Sequence, residues 1–596
     1  MAFDVNREKS GDTVIGKIIE NGEISENKYS VDINELNRHC LVIGLTGSGK
    51  TNTVKSLICI TAKREKGAVP FMIIEPAKKE YWELYKLGFD SLRIYSIGSN
   101  ESFARRLCIN PFERVSFKDE YGNKRAVSLQ THIDFVFSAF KASFIMYTPM
   151  PYVLEKAIYA IYEDCGWDIA NNINRNGSEI YPTIEDLYFK LPVIINEMGY
   201  DAKMRNDLTG SLQARINSLR IGSKGAALNV KESFPMEHLL EGNTVIEIED
   251  IGDDDIKAFI ISLLMIRILE YRRQQTDCQQ EVRHLLFIEE AHRLLKNVQS
   301  GTGENADPRG AAVEFFCNML AEMRSKGQGF VVADQIPTKL APDLIKNTNL
   351  KIVHRTVAGD ERELMGKAMN MTEDQIAAFS TFKQGEAAVY SEGDIRPKLV
   401  KPLFAGEFTL KERELLSREQ VLRETSSNCI DINGKREYEM LTDKRSAICR
   451  ACNICCTRLP EDILSYKSVS DNFMRLANIL SPAAKGSCKV SEIDNALRQF
   501  TDMYVPEDFS FQKTAKNCLL VCLIKQWGLE KNDPVLKKKL EKIYINVNIK
   551  KHSASTPRPP NLGGEKVFFV ICKIAHNASN FLYNKQNCSQ REQFPI

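Results

Sequence analysis

Several things are scarce in this 596-residue chain. No run of apolar residues approaches the roughly 20 that a membrane-spanning helix needs. The N-terminus, Met1-Ala2-Phe3-Asp4-Val5-Asn6-Arg7, lacks the apolar core of a signal peptide. An excess of one charge is also missing: the formal net charge is only +2, so any contact with DNA has to come from a local patch. No constellation of nuclease residues is found. The 16 cysteines, with no secretory signal, point to reduced thiols in a cytoplasm. A content of 43% hydrophobic and 27% charged residues is that of a soluble globular protein, long enough for two or three domains with real cores. The expectation is a cytoplasmic protein without a membrane segment.

The most informative stretch is Gly44-Leu45-Thr46-Gly47-Ser48-Gly49-Lys50-Thr51, a full match to the phosphate-binding pattern G-x-x-x-x-G-K-[ST]. Cys40-Leu41-Val42-Ile43 enters it as a short buried strand. Asn52 and the residues to Cys59 leave it with helical spacing of apolar positions. Glycines let successive N–H groups turn inward on a phosphate. Lys50 adds a charge for the β- and γ-phosphates, and the Thr51 hydroxyl can ligate Mg²⁺. Binding of a nucleoside triphosphate follows, with Gly44, Thr46, Gly47, Ser48, Gly49, Lys50, Thr51 and Asn52 as the residues around it.

A second strand, Leu285-Leu286-Phe287-Ile288, delivers Glu289 and Glu290 to its end, followed by Ala291 and His292. Ligands of open α/β sheets sit at that edge. Glu289 is expected in the Mg²⁺ shell and Glu290 as the group that orients and deprotonates the attacking water. A third strand, Gly329-Phe330-Val331-Val332-Ala333-Asp334, places Gln335 as a sensor of the γ-phosphate. Arg324, at the end of the preceding helix, is a candidate arginine finger for a neighbouring subunit. Arg355, after the strand Leu350-Lys351-Ile352-Val353-His354, is the other candidate.

These segments together resemble the HerA family of hexameric DNA-translocating ATPases, relatives of FtsK and of the conjugative coupling and VirB4-type motors. The resemblance runs from Asp32-Ile33-Asn34-Glu35-Leu36-Asn37-Arg38-His39 into the phosphate loop. It continues through Ile73-Ile74-Glu75-Pro76-Ala77-Lys78-Lys79-Glu80-Tyr81, where the family more usually has Asp at the position of Glu75. Glu289-Glu290-Ala291-His292 is similar to the family's acidic motif, and Arg324 with Gln335 to its trans-acting arginine and sensor glutamine. Segments spread over residues 12–400 carry it. The resemblance implies ATP and Mg²⁺ as ligands, DNA as partner, a homo-hexameric ring, and a separately encoded nuclease or defence effector, for example NurA-like or sirtuin-like. Archaeal relatives carry a full β-barrel ahead of the core. Here residues 1–36 are expected to form only a short β element around a hairpin at Asn21-Gly22.

The expected organisation is thus α/β, with a RecA-like P-loop ATPase core over residues 37–425. A mostly helical insertion over about 101–240 is read as a cap, and residues 426–596 as a helical C-terminal domain. Candidate DNA contacts are Arg215, Arg220, Lys224 and Arg309. The polar stretch 297–308 is either a pore loop or a plain surface loop. In the C-terminal part, Cys449, Cys452 and Cys456 sit at helical spacing and are read as buried thiols, with a zinc site as the alternative. Lysines over 537–551 and the segment 556–560 make its end locally basic. The function expected is an ATP-driven DNA translocase or helicase-like ring motor in end processing or anti-phage defence. The alternative is a regulatory ATPase scaffold that gates a partner enzyme without processive movement.

Overall fold

The computed structural model describes residues 11–99, 101–118, 124–174, 179, 181–275, 281–297, 308–430, 490–504 and 520. The chain divides into two units, Met1–Tyr188 with Asn206–Ile432, and Phe189–Arg205 with Asn433–Ile596. The strands are β1 (Thr13–Glu20), β2 (Glu23–Val31), β3 (Cys40–Ile43), β4 (Phe71–Glu75), β5 (Arg93–Ser96) and β6 (Arg105–Arg106). Two small hairpins follow, β7 (Ser116–Lys118) with β8 (Lys124–Ala126) and β9 (Trp167–Asp168) with β10 (Ile173–Asn174). Then come β11 (Thr244–Glu247), β12 (His284–Glu289), β13 (Gln328–Asp334), β14 (Leu350–His354), β15 (Ala387–Tyr390) and β16 (Lys398–Pro402). The helices are α1 (Lys50–Ala62), α2 (Leu129–Ser143), α3 (Met150–Asp164), α4 (Ile184–Glu197), α5 (Ala202–Arg220), α6 (Gly222–Leu228) and α7 (Met236–Leu240). They continue with α8 (Asp254–Arg273), α9 (Pro308–Met323), α10 (Pro342–Asn347), α11 (Gly359–Ala368), α12 (Glu373–Ala378) and α13 (Arg418–Thr425).

One 12-stranded sheet runs in the order β2-β1-β16-β15-β14-β3-β13-β12-β4-β11-β5-β6. From β14 to β6 every pair is parallel, while β15, β16, β1 and β2 form an antiparallel wing. Parallel strands are covered on both faces, which is why CLVI, FMIIE and HLLFIE read as continuous apolar runs and are buried throughout. The Asp253 carboxylate caps α8 by accepting from the N–H groups of Asp255 and Ile256, and the helix is buried from Ile256 to Arg272. Phosphate-loop strand β3 lies between β13 and β14, so the C-terminal ends of β3, β12 and β13 converge.

Asn21 and Gly22, both at positive φ, do turn a hairpin, but β1 also pairs with β16. Residues 13–31 therefore form one edge of the main sheet. Within the 101–240 insertion, α2 packs directly on α8 and α9 of the core. In the second unit, α14 (Val490–Tyr504) buries Ile493, Leu497 and Phe500 along one face. The C-terminal cysteines Cys449, Cys452 and Cys456, the lysines over 537–551, the segment 556–560, residues 298–307 and the side chain of Arg309 lie outside the described residues.

A buried imidazole gives the first unit an acid sensitivity. His39 is 2% exposed; its Nε2 donates to Leu320 O at 2.7 Å, and its Nδ1 accepts from Phe330 N–H at 3.3 Å. The second bond requires an unprotonated Nδ1 and so the neutral ring. Burial pushes its pKa from 6.5 down to about 4 against the opposing pull of the Leu320 carbonyl. A pKa lower in the folded than in the unfolded chain gives stability that is complete above pH 6.5 and is lost as pH falls towards 4, at most about 3 kcal/mol for this group. Replacing it by a neutral amide, His39→Gln, lowers the melting temperature at pH 7, and that deficit is expected to shrink towards pH 4.5. A deficit that stays constant with pH would contradict the assignment.

Candidate active site

The phosphate loop closes on itself and is held from beneath. Gly44 N–H donates to Asp334 O at 3.3 Å, and Leu45 N–H to Arg355 O at 3.2 Å. The Ser48 hydroxyl donates to Leu45 O at 2.7 Å. Gly49 caps α1 at φ 116°, where a side chain would be strained, and a Cβ there would lie 2.9 Å from Gly385 Cα. Gly385 N–H in turn donates to Ser48 O at 2.8 Å. Below the loop His354 is fixed by two bonds, Nδ1 donating to Glu386 O and Nε2 accepting from the Thr53 hydroxyl, each at 2.9 Å. Burial pushes its pKa down to about 4, so the floor is neutral.

The loop encloses a cavity of about 190 Å³. Thr46, Gly47, Gly49, Lys50, Thr51, Asn52, Glu289, Glu290 and Gln335 line it, joined by Ala77, Lys78 and Gln384. Gly44 and Ser48 shape the loop from behind. The Lys50 ammonium sits 3.8 Å from Glu290 Oε1. Burial lowers its pKa, and the carboxylates of Glu290, Glu289 and Asp334 oppose that shift.

Glu289 is 7% exposed, and its Oε1 accepts a 2.6 Å hydrogen bond from the hydroxyl of fully buried Tyr81. Burial raises its pKa, with Tyr81 and Lys50 pulling the other way. The Thr51 hydroxyl and the Glu289 carboxylate are hard oxygen donors among the residues lining the cavity. This donor set fits Mg²⁺, which prefers a few protein oxygens and keeps several waters. Ile288 pairs with Ile74 just before Glu289 and Glu75, and Glu75 pairs with Glu247, so adjacent strands end in buried carboxylates. Glu75 accepts from Glu80 N–H at 2.5 Å, shaping the turn that delivers Tyr81. Glu247 takes both arms of the Arg418 guanidinium at 2.7 Å each.

Glu290 has φ 50°, a left-handed conformation costly for a residue with a Cβ and typical of functional sites. Its Oε1 accepts from the Gln335 amide at 2.8 Å, and the Gln335 carbonyl accepts from the Thr46 hydroxyl at 2.8 Å. One side chain thus ties the phosphate loop to the acidic strand. Asp334 accepts from His292 N–H at 2.9 Å and from Gln335 N–H at 2.7 Å, and pairs with the His292 ring at 3.0 Å. Burial works against its ionisation, but these donors hold the pKa below the usual carboxylate value. Glu290, His292 and Asp334 lie close enough to share a cation. The hydrogen bonds between His292 and Asp334 account for the cluster without one.

The two arginine candidates occupy opposite sheet edges. Arg355 follows β14, and its carbonyl touches the phosphate loop of the same chain. Arg324 is exposed, and its carbonyl accepts from the Asn37 amide at 2.8 Å near the start of β13. The seven residues of β13 separate it from Gln335 by about 23 Å. It cannot reach the nucleotide site of its own chain. Of the expected DNA contacts, Arg220 is paired with Glu185 at 2.7 Å and stacked on Tyr188, and Arg215 donates to Ser211 O. Both side chains are held within the fold, whereas Lys224 is half-buried on α6.

Sequence reasoning missed Tyr81, Asp334, His354 and Gln384. Tyr81, Asp334 and His354 stood inside stretches already singled out, and their contribution depends on strand order. Gln384 carries no local signal.

A complete phosphate loop at the C-terminal edge of a parallel sheet, facing a carboxylate-tipped neighbouring strand, defines a P-loop ATPase with a RecA-like core. The family described as "Helicase HerA, central domain" matches residues 13–268. A probable helicase of Methanocaldococcus jannaschii is 22% identical over 422 residues, covering 65% of this chain and 72% of the relative. The DNA double-strand break repair helicase HerA of Sulfolobus acidocaldarius is 22% identical over 411 residues, covering 66% and 69%. The solved structure of VirB4 from Thermoanaerobacter pseudethanolicus has the same fold, with a TM-score of 0.50 at 18% identity over 67% of this chain and 99% of that one. Over the matched residues the chain is similar to HerA-type ATPases. Among the described residues no helix is long and apolar enough to cross a membrane.

Proposed function

We propose that the chain is an ATP-driven motor acting on DNA, assembled as a homo-hexameric ring with nucleotides at subunit boundaries. The observation that carries this is the bridge Thr46–Gln335–Glu290, because a motor must convert the state of the γ-phosphate into movement of a strand end. Lys50 and the loop N–H groups hold the phosphates, and Glu290 takes the proton of the attacking water. Thr51 and Glu289 would hold Mg²⁺, which neutralises charge on the β- and γ-phosphates. Gln335 exchanges its Thr46 or Glu290 contact for the γ-phosphate and passes that change to β13. A separately encoded nuclease or defence effector, NurA-like or sirtuin-like, is the partner the family resemblance implies.

The second reading is a regulatory ATPase that gates an effector without travelling along DNA. One observation favours it: Arg215 and Arg220 on the basic helix α5 are engaged within the fold. Hydrolysis measured with and without duplex DNA separates the two. The motor reading expects stimulation that fades as salt rises. Rates indifferent to DNA at low salt would favour the gate.

Gln335→Ala is expected to cut kcat by about 10- to 100-fold with little change in KM, since it removes a contact that matters after binding. A rise in KM at unchanged kcat would make Gln335 a binding residue only.

A further inference from the structure

A second cavity, of about 600 Å³, adjoins the phosphate site and shares Thr51 and Asn52 with it. That size is within the roughly 300–1,000 Å³ of small-molecule sites. Its walls come from the first turns of α1, the turn after β4 and the chain following β16. Lys55 and Glu83 pair across it at 2.5 Å, and Lys86 Nζ donates to Glu414 O at 3.0 Å. Phe404 stands on its rim and is 62% exposed.

A single exposed aromatic residue is ordinary, but this one is held in place from the phosphate loop. The Asn52 amide donates to Leu403 O at 3.0 Å, and its carbonyl accepts from Ala405 N–H at 2.9 Å. The residue two positions after Lys50 therefore clamps the backbone on both sides of Phe404. From below, a Cβ on Gly406 would come within 2.3 Å of Phe404 Cε1, so the ring lies directly on that glycine. Nothing in the packing of the core needs this arrangement, because the ring is left facing solvent.

We infer that the nucleoside half of the bound triphosphate occupies this cavity, with its base stacked on Phe404 and Asn52 acting as the positioning residue for that platform. The inference rests on the ATPase reading. Every nucleobase has a π-face, so stacking supplies affinity while the polar groups on the rim set the preference between bases.

The test compares two ligands on the full chain, ATP and inorganic tripolyphosphate, which has the phosphates and no nucleoside. Phe404→Ala is expected to weaken ATP binding about tenfold and to leave tripolyphosphate unchanged, with Phe404→Tyr restoring ATP affinity. Asn52→Ala is expected to follow Phe404→Ala in direction. Equal weakening of both ligands, or of neither, overturns the proposal. So does unchanged nucleotide affinity with altered assembly, which would assign the ring to a contact between copies. Lys50→Ala is expected to lose both ligands; if it bound both as the wild type does, the phosphate-loop reading itself would fail, independently of Phe404.

Discussion

Glu290→Gln is expected to bind ATP and assemble like the wild type while hydrolysing ATP about 100- to 10,000-fold more slowly, the range a positioned general base contributes. The geometry makes this variant unusually clean. An amide at position 290 can still accept from the Gln335 amide, as the carboxylate does at 2.8 Å, so the bridge to Thr46 survives. What is lost is the ability to take a proton. The Lys50 ammonium also loses a carboxylate 3.8 Å away, which frees it for the phosphates. Single-turnover hydrolysis alongside equilibrium nucleotide binding checks both halves. Wild-type turnover would remove Glu290 from its role and leave Glu289 or an unassigned group in its place.

Arg324→Ala should be as severe if the ring forms, since an arginine supplied by a neighbour can contribute about 1,000- to 100,000-fold. Its own site lies about 23 Å away along β13, so a defect has to arise between subunits. Arg324→Ala chains bind ATP normally and poison their neighbours when mixed with wild type. Activity then falls faster than dilution. A linear fall would make Arg324 structural and turn attention to Arg355, whose backbone already touches the phosphate loop.

The phosphate loop and the pair Glu289-Glu290 were legible because their chemistry is written in adjacent residues on a strand–loop–helix or strand end. Their supports were not. Tyr81 reaches Glu289 across 208 positions, and Asn52 reaches Leu403 across 351, contacts that exist only once the strand order is set. The alternation over residues 13–31 reveals a hairpin but not its seat against β16, because pairing partners leave no mark in a single strand. Arg220 shows the same gap from the other side. A basic helical face reads as open to DNA until its neighbour Glu185 is in view.

The central claim is that hydrolysis at this site moves the protein along DNA. Its most direct test is displacement of streptavidin from biotinylated duplex DNA by the assembled protein with ATP and Mg²⁺. The account predicts displacement that requires hydrolysis and is abolished by Glu290→Gln. Robust ATP turnover by the wild type with streptavidin left in place would contradict it.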